Sequence, residues 1–153
     1  MSETHYEIYT DGSFRPPNFG SYAVLIFKDS IEHACITAPV FNATINQAEL
    51  LAIYMALNYF TDKVSINISS DSQYAVNCIT KWAPHWNRNN WLTATGESVK
   101  NKQIIQSIYQ LMKFHKVRVS WVRGHAGDVN NERCDKLARD ITRAMLLKEI
   151  LPP

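Results

Sequence analysis

The run Ser-Tyr-Ala-Val-Leu-Ile-Phe at residues 21–27 constrains this chain more than any other segment. It is rich in β-formers and nearly continuous in apolar character. A strand of that kind belongs in the middle of a sheet that is covered on both faces. Before it, His5–Thr10 alternates, with Tyr6, Ile8 and Thr10 on one side and Glu7 and Tyr9 on the other. After it, beyond a short polar turn, Glu32–Val40 reads as a third strand. Short connections make the three an antiparallel meander. The segment Gly12–Gly20, with two prolines and two glycines, is read as a loop.

Thr44-Ile45-Asn46-Gln47 has the form of a capping box, and Leu50, Ile53, Leu57 and Phe60 then recur at helical spacing. Val64–Ser69 is a fourth strand. Reached through a helix, it lies parallel to the first by a right-handed crossover. Asp71-Ser72-Gln73 opens a helix running toward Trp82. Residues 81–102 differ in character: Trp82, Trp86 and Trp91 are interleaved with Lys81, His85, Arg88, Lys100 and Lys102. These tryptophans are read first as packing residues. Ile104–Phe114 is an amphipathic helix, Val117–Val122 a fifth strand and Gly124–Asn130 a loop. Asn131 is read as the cap of a last helix that buries Cys134, Leu137, Ala138, Ile141 and Met145. The order β-β-β-α-β-α-α-β-α describes an α/β fold. Its mixed five-stranded sheet has three antiparallel strands, then two parallel ones, with helices packed on both faces.

A chain of 153 residues suits one domain over its whole length, with 81–102 as a protrusion. The formal charge of +2 excludes a bulk basic field, so nucleic-acid binding requires local patches. Cys35, Cys78 and Cys134 form no C-x-x-C pair, which argues against a disulfide framework or zinc cluster and suits a reducing compartment. The first residues lack the apolar core of a signal peptide, and no apolar run approaches the ~20 residues of a spanning helix. Met1 lies shortly before the first strand and Pro152-Pro153 follow the last helix. A stand-alone, monomeric, cytoplasmic protein is expected.

Four acids carry the chemistry. Asp11 ends the first strand and Asp71 the fourth. If those strands are parallel neighbours, both carboxylates emerge at one sheet end, where ligand sites of open α/β sheets lie. Glu49 and Asp135 each border the apolar face of a helix that packs on that sheet. Each acid alone has a plain structural reading: a helix cap for Asp71, a turn for Asp11-Gly12, a dipole-favoured acid for Glu49, a solvated acid for Asp135. Together, four converging carboxylates are hard to hold without divalent cations and point to metal-dependent phosphate chemistry. His125, flanked by Gly124 and Gly127, reads either as a surface loop residue or as a mobile proton carrier.

Tyr9-Thr10-Asp11-Gly12-Ser13, Asn46-Gln47-Ala48-Glu49-Leu50, Ser70-Asp71-Ser72-Gln73-Tyr74, Gly124-His125-Ala126-Gly127 and Asn131 through Ala138 stand in one order. In that order they resemble type 1 ribonuclease H over nearly the whole chain, and the last two resemble the cellular, bacterial-type enzyme especially. The resemblance implies an endonuclease that cuts the RNA strand of an RNA–DNA hybrid, leaving 5′-phosphate and 3′-hydroxyl ends. Asp11, Glu49, Asp71 and Asp135 would hold two Mg²⁺ ions, with Mn²⁺ as a substitute, and Asp11 would bridge both. Glu49 would also accept a hydrogen bond from the 2′-hydroxyl beside the cut, and His125 would assist turnover. Thr44 and Asn101 match a pocket for a DNA phosphate. Asn46 and Gln73 match minor-groove contacts, while Trp82, Trp86 and Arg88 belong to a protrusion that grips the DNA strand. The sequence departs from the family pattern at Phe14–Gly20, where a glycine-rich loop is usual, and at Ile45, where an asparagine is. Two other readings remain beside this one: another nuclease or strand-transferase of the same fold, and a non-catalytic hybrid-binding module.

Overall fold

The computed structural model describes residues 4–124 and 127–152. The chain runs β1 (His5–Arg15), β2 (Phe19–Lys28), β3 (Ile31–Phe41), α1 (Ile45–Asn58) and β4 (Ser65–Ser70). It continues through α2 (Gln73–Asn77), a π-turn (Cys78–Trp82), α3 (Ala83–Arg88), α4 (Lys102–Phe114), β5 (Lys116–Trp121) and α5 (Val129–Leu146). The five strands order as β3-β2-β1-β4-β5. β1 and β2, and β2 and β3, pair antiparallel, while β4 lies parallel to both β1 and β5. This is the mixed sheet expected from the sequence.

The all-apolar second strand is buried as its composition requires. Val24 and Ile26 point into the layer formed with Leu50, Ile53 and Leu57 of α1 and Ile105 and Ile108 of α4. Ala23 and Leu25 point the other way, against Cys134 and Ala138 of α5. The helices thus cover both faces of the sheet. Leu50, Ile53 and Leu57 are fully buried, each contributing about 1.5–3 kcal/mol of transfer free energy. On the α5 side Ala23, Cys134 and Ala138 are small, and the helix comes close enough for the Cys134 thiol to reach the carbonyl of Ala23 at 3.2 Å. The capping box forms as read: the Thr44 hydroxyl accepts from Gln47 N–H at 3.1 Å, and Gln47 Oε1 accepts from Thr44 N–H at 3.0 Å.

Two local expectations are corrected. The segment Gly12–Gly20 is mostly strand, because Asp11 through Arg15 pair with Ala23 through Phe19 and leave only residues 16–18 as the turn. Pro16 and Pro17 stand at that tip, where no ladder N–H is required. The last helix is capped by Asp128, whose carboxylate accepts from Asn131 N–H at 2.9 Å. Asn131 lies within the first turn and is buried.

One core residue drew no attention in the sequence. His115, at the end of α4, is 3% exposed. Its Nδ1 accepts from Val64 N–H and its Nε2 faces the carbonyl of Leu57, each at 3.2 Å. An amide donor on one side and a carbonyl on the other fix the neutral ring with its proton on Nε2. The imidazole therefore ties the end of α1 to the start of β4. Replacing His115 with Phe keeps the volume but strands both backbone groups. A loss of about 2–3 kcal/mol in urea denaturation is expected.

Candidate active site

The parallel register places Thr10 opposite Ser70 as the last pair between β1 and β4. The next residues are Asp11 and Asp71, so both acids leave the sheet at the same end. β1 continues alongside β2 beyond this point while β4 stops, and the carboxylates occupy the opening between them. Capping of α2 falls to Ser72, whose hydroxyl accepts from Ala75 N–H at 3.1 Å. Asp71 is thereby spared the capping role that a lone aspartate would take there. Its backbone carbonyl accepts a hydrogen bond from Trp121 Nε1 at 3.1 Å, which pins the turn to the end of β5.

Glu49 comes in from α1, directly over β1. Gly12 makes this approach possible. A Cβ on Gly12 would lie 2.7 Å from Glu49 N, 2.8 Å from the Ala48 carbonyl carbon and 2.9 Å from Glu49 Oε1. The glycine thus serves close helix–strand packing, since it sits in a paired strand, not in a turn. Its N–H is shared between Asp11 Oδ1 at 2.9 Å and Glu49 Oε1 at 2.5 Å. Gly124 plays a related part: a Cβ there would lie 3.0 Å from Asp71 Oδ2.

The outcome is a compact acid cluster. One carboxylate oxygen from each of Asp11, Glu49 and Asp71 lies within 4.8 Å of the others. Asp11 is 3% and Glu49 5% exposed. Asp11 Oδ2 and Glu49 Oε2 are buried without any hydrogen-bond donor. Burial, and then the neighbouring charge of Glu49, push the Asp11 carboxyl far above the ordinary carboxylate range. Burial pushes Glu49 up to about 7. Without a counter-charge the site therefore retains protons at neutral pH. Orphaned, mutually repelling oxygens of this kind are what a hard divalent cation satisfies, and the donor set fits Mg²⁺ or Mn²⁺.

Asp135 stands beside this cluster and outside it. Its charge raises both Asp11 and Glu49, but its Oδ2 accepts from Arg139 Nε at 2.8 Å. His125 lies outside the described residues. Among the expected nucleic-acid residues, Thr44 and Asn101 are joined through Gln47, whose Nε2 donates to Asn101 Oδ1 at 3.3 Å. Asn101 in turn donates to the Tyr74 hydroxyl at 3.0 Å, and its backbone is left-handed with φ of 61°. A groove of about 620 Å³ beside it is lined by Asn42, Gln47, Lys102 and Gln103 among others. Asn46 is half-buried at the start of α1, and Gln73 is exposed at the start of α2. Trp82 is 41% exposed, with its ring 5.9 Å from that of Trp86. Trp91 is buried as a packing residue, and Arg88 is exposed at the end of α3.

Sequence reasoning passed over Gly12, Gln47, Trp121 and Arg139 as functional residues. The i,i+4 spacing of Asp135 and Arg139 was a usable signal. The roles of Gly12 and Trp121 depend on elements distant in sequence and left no local sign.

The family model for RNase H matches residues 3–143. The chain is 41% identical over 134 residues to Ribonuclease HI of Pasteurella multocida (strain Pm70), covering 87% of this chain and 86% of that protein. It is 40% identical over 135 residues to Ribonuclease HI of Haemophilus influenzae, with 87% and 86% covered. The solution structure of the PFV RNase H domain superposes with a TM-score of 0.80 at 19% identity, covering 94% of this chain and 97% of that one. The crystal structure of LC9-RNase H1, a type 1 RNase H with the type 2 active-site motif, gives 0.77 at 22% identity, covering 94% and 74%. These two structural matches speak to the fold, and the closer bacterial sequences speak to descent. The family model spans the strand ends where the acids gather, and the protein belongs to the ribonuclease H family.

Proposed function

We propose that this protein is an endonuclease that hydrolyses the RNA strand of an RNA–DNA hybrid, leaving 5′-phosphate and 3′-hydroxyl ends. The observation that carries this reading is the pair of buried, donor-less oxygens on Asp11 and Glu49, set beside Asp71. Asp11, Glu49, Asp71 and Asp135 would hold two Mg²⁺ ions, or Mn²⁺ in their place. Bound there, the ions supply an acidified water and neutralise the charge developing on the attacking and leaving oxygens.

The protein's own groups supply the rest. The Gly12 N–H holds the facing oxygens of Asp11 and Glu49 at a fixed separation, so little reorganisation accompanies the reaction. His125 takes the role of proton carrier. Thr44 and Asn101 receive a DNA phosphate, Asn46 and Gln73 meet the minor groove, and Trp82, Trp86 and Arg88 hold the DNA strand. Phosphate contacts of this kind set register, while the acids act on the opposite strand. Three free cysteines fit a reducing cytoplasm, where the protein acts as a monomer. Among the described residues no helix is long and apolar enough to cross a membrane.

The deciding assay uses end-labelled RNA–DNA hybrid, double-stranded DNA and single-stranded RNA with Mg²⁺. Cleavage of the hybrid's RNA strand alone, abolished by EDTA, is expected. Comparable cutting of either DNA duplex or free RNA contradicts the proposal.

A further inference from the structure

The fourth acid is held apart from the other three, and the group holding it is a cation. Asp135 and Arg139 lie one turn apart on α5, a spacing at which side chains meet. Arg139 Nε donates to Asp135 Oδ2 at 2.8 Å, with the arginine side chain 58% and the aspartate side chain 18% exposed. The neighbouring acid on the helix, Asp140, does not compete for this arginine's hydrogen bond, because Lys136 donates to it at 2.8 Å. Asp135 is near enough for its charge to act on Asp11 and Glu49. Its oxygens are nonetheless absent from the group of three that close to within 4.8 Å.

We propose that Arg139 is a positioning residue that weakens the site's hold on a divalent cation by competing for Asp135. The inference rests on the metal reading above. An oxygen that accepts a hydrogen bond from a guanidinium must give it up, or share it, before it can ligate a metal. The arginine half of the pair is solvent-facing, so the competition is mild and readily reversed. Arg139 thus acts as a weak latch. It keeps the acid cluster from trapping its ions too tightly, and it is itself displaced as they enter.

The test is Mn²⁺ binding to the full chain by calorimetry, with electron paramagnetic resonance as a second readout. Wild type is compared with Arg139→Gln, Arg139→Lys, Asp135→Asn and the Asp135→Asn/Arg139→Gln double variant. Arg139→Gln is expected to bind Mn²⁺ about two- to fivefold more tightly, the yield of one exposed ion pair. Arg139→Lys is expected to fall between it and wild type. In the Asp135→Asn background the gain is expected to vanish. Arg139→Gln that binds no more tightly than wild type, or a gain that persists in full without Asp135, overturns the latch. Wild-type protein that takes up no Mn²⁺ overturns the metal reading beneath it, a distinguishable failure. Arg139 is surface-exposed, so both substitutions at Arg139 are expected to fold, and melting curves check this for every variant.

Discussion

Asp11→Asn is expected to abolish hydrolysis and, in EDTA, to raise the melting temperature. Loss of activity should reach about 10³-fold or more, since several kcal/mol of transition-state stabilisation depend on this site. The stability gain follows from the protons that the metal-free site retains. Burial, and then the charge of Glu49, hold Asp11 well above its ordinary value near 3.8, and burial holds Glu49 up to about 7. The unfolded chain releases these protons near pH 4, whereas the folded chain keeps them. Stability is therefore fully present below about pH 4 and is lost as pH rises, for Glu49 through about 7 and for Asp11 beyond it. Each retained proton costs up to about 1.4 kcal/mol per pH unit in that window. Asparagine removes one of the two acids. Its Oδ1 keeps the Gly12 N–H bond. Melting in EDTA between pH 5 and 8 should show the variant ahead by roughly 5–10 °C at neutral pH, on a flatter curve. Added Mg²⁺ should close the gap by stabilising wild type alone. A variant that melts at or below wild type at pH 8 contradicts the buried cluster.

Gly12→Ala is expected to damage both fold and function. The added methyl would press on the backbone of Ala48 and Glu49, which cannot rotate aside as a flexible side chain would. α1 must then lift from β1, at a cost of about 3 kcal/mol or more. For a chain of this size that lowers the melting temperature by roughly 6–12 °C. Glu49 moves with the helix, and a displacement near 1 Å costs about 10²-fold in rate. Circular-dichroism melting and single-turnover cleavage of a hybrid check the two effects. Wild-type values in both would refute the packing role of Gly12.

These two neighbours show what was legible in the sequence. Asp11 could be singled out because it follows an alternating strand and because the crossover rule lays β4 beside that strand. Gly12 invited the reading of a turn, since Asp-Gly pairs usually form one. Its purpose is set by α1, more than thirty residues later, and only the packed structure exposes it. The cap of α5 was misplaced for a similar reason. Asp128 and Asn131 are both competent capping residues three positions apart; Asn131 is buried, and its N–H donates to the Asp128 carboxylate. His115 was invisible because its partners are backbone groups of other segments. Convergence of the acids was read as fourfold, and the structure gathers three with Asp135 alongside. Asp135 sits instead in an i,i+4 ion pair with Arg139, a pairing that the helix periodicity already contained.

The π-turn between α2 and α3 has a consequence for how such chains diverge. At Cys78–Trp82 the ladder widens, and Ala83 N–H reaches back five residues to the carbonyl of Cys78. A turn of this kind holds one residue more than the helix around it needs, and each residue advances a helix by about 100°. The aromatic arm carrying Trp82 and Trp86 is therefore aimed by chain length as well as by side chains. Loss of that single residue would swing the arm by more than a quarter of a turn while leaving every acid in place. A lineage could re-aim these two tryptophans by a one-codon deletion, with no substitution among the acids.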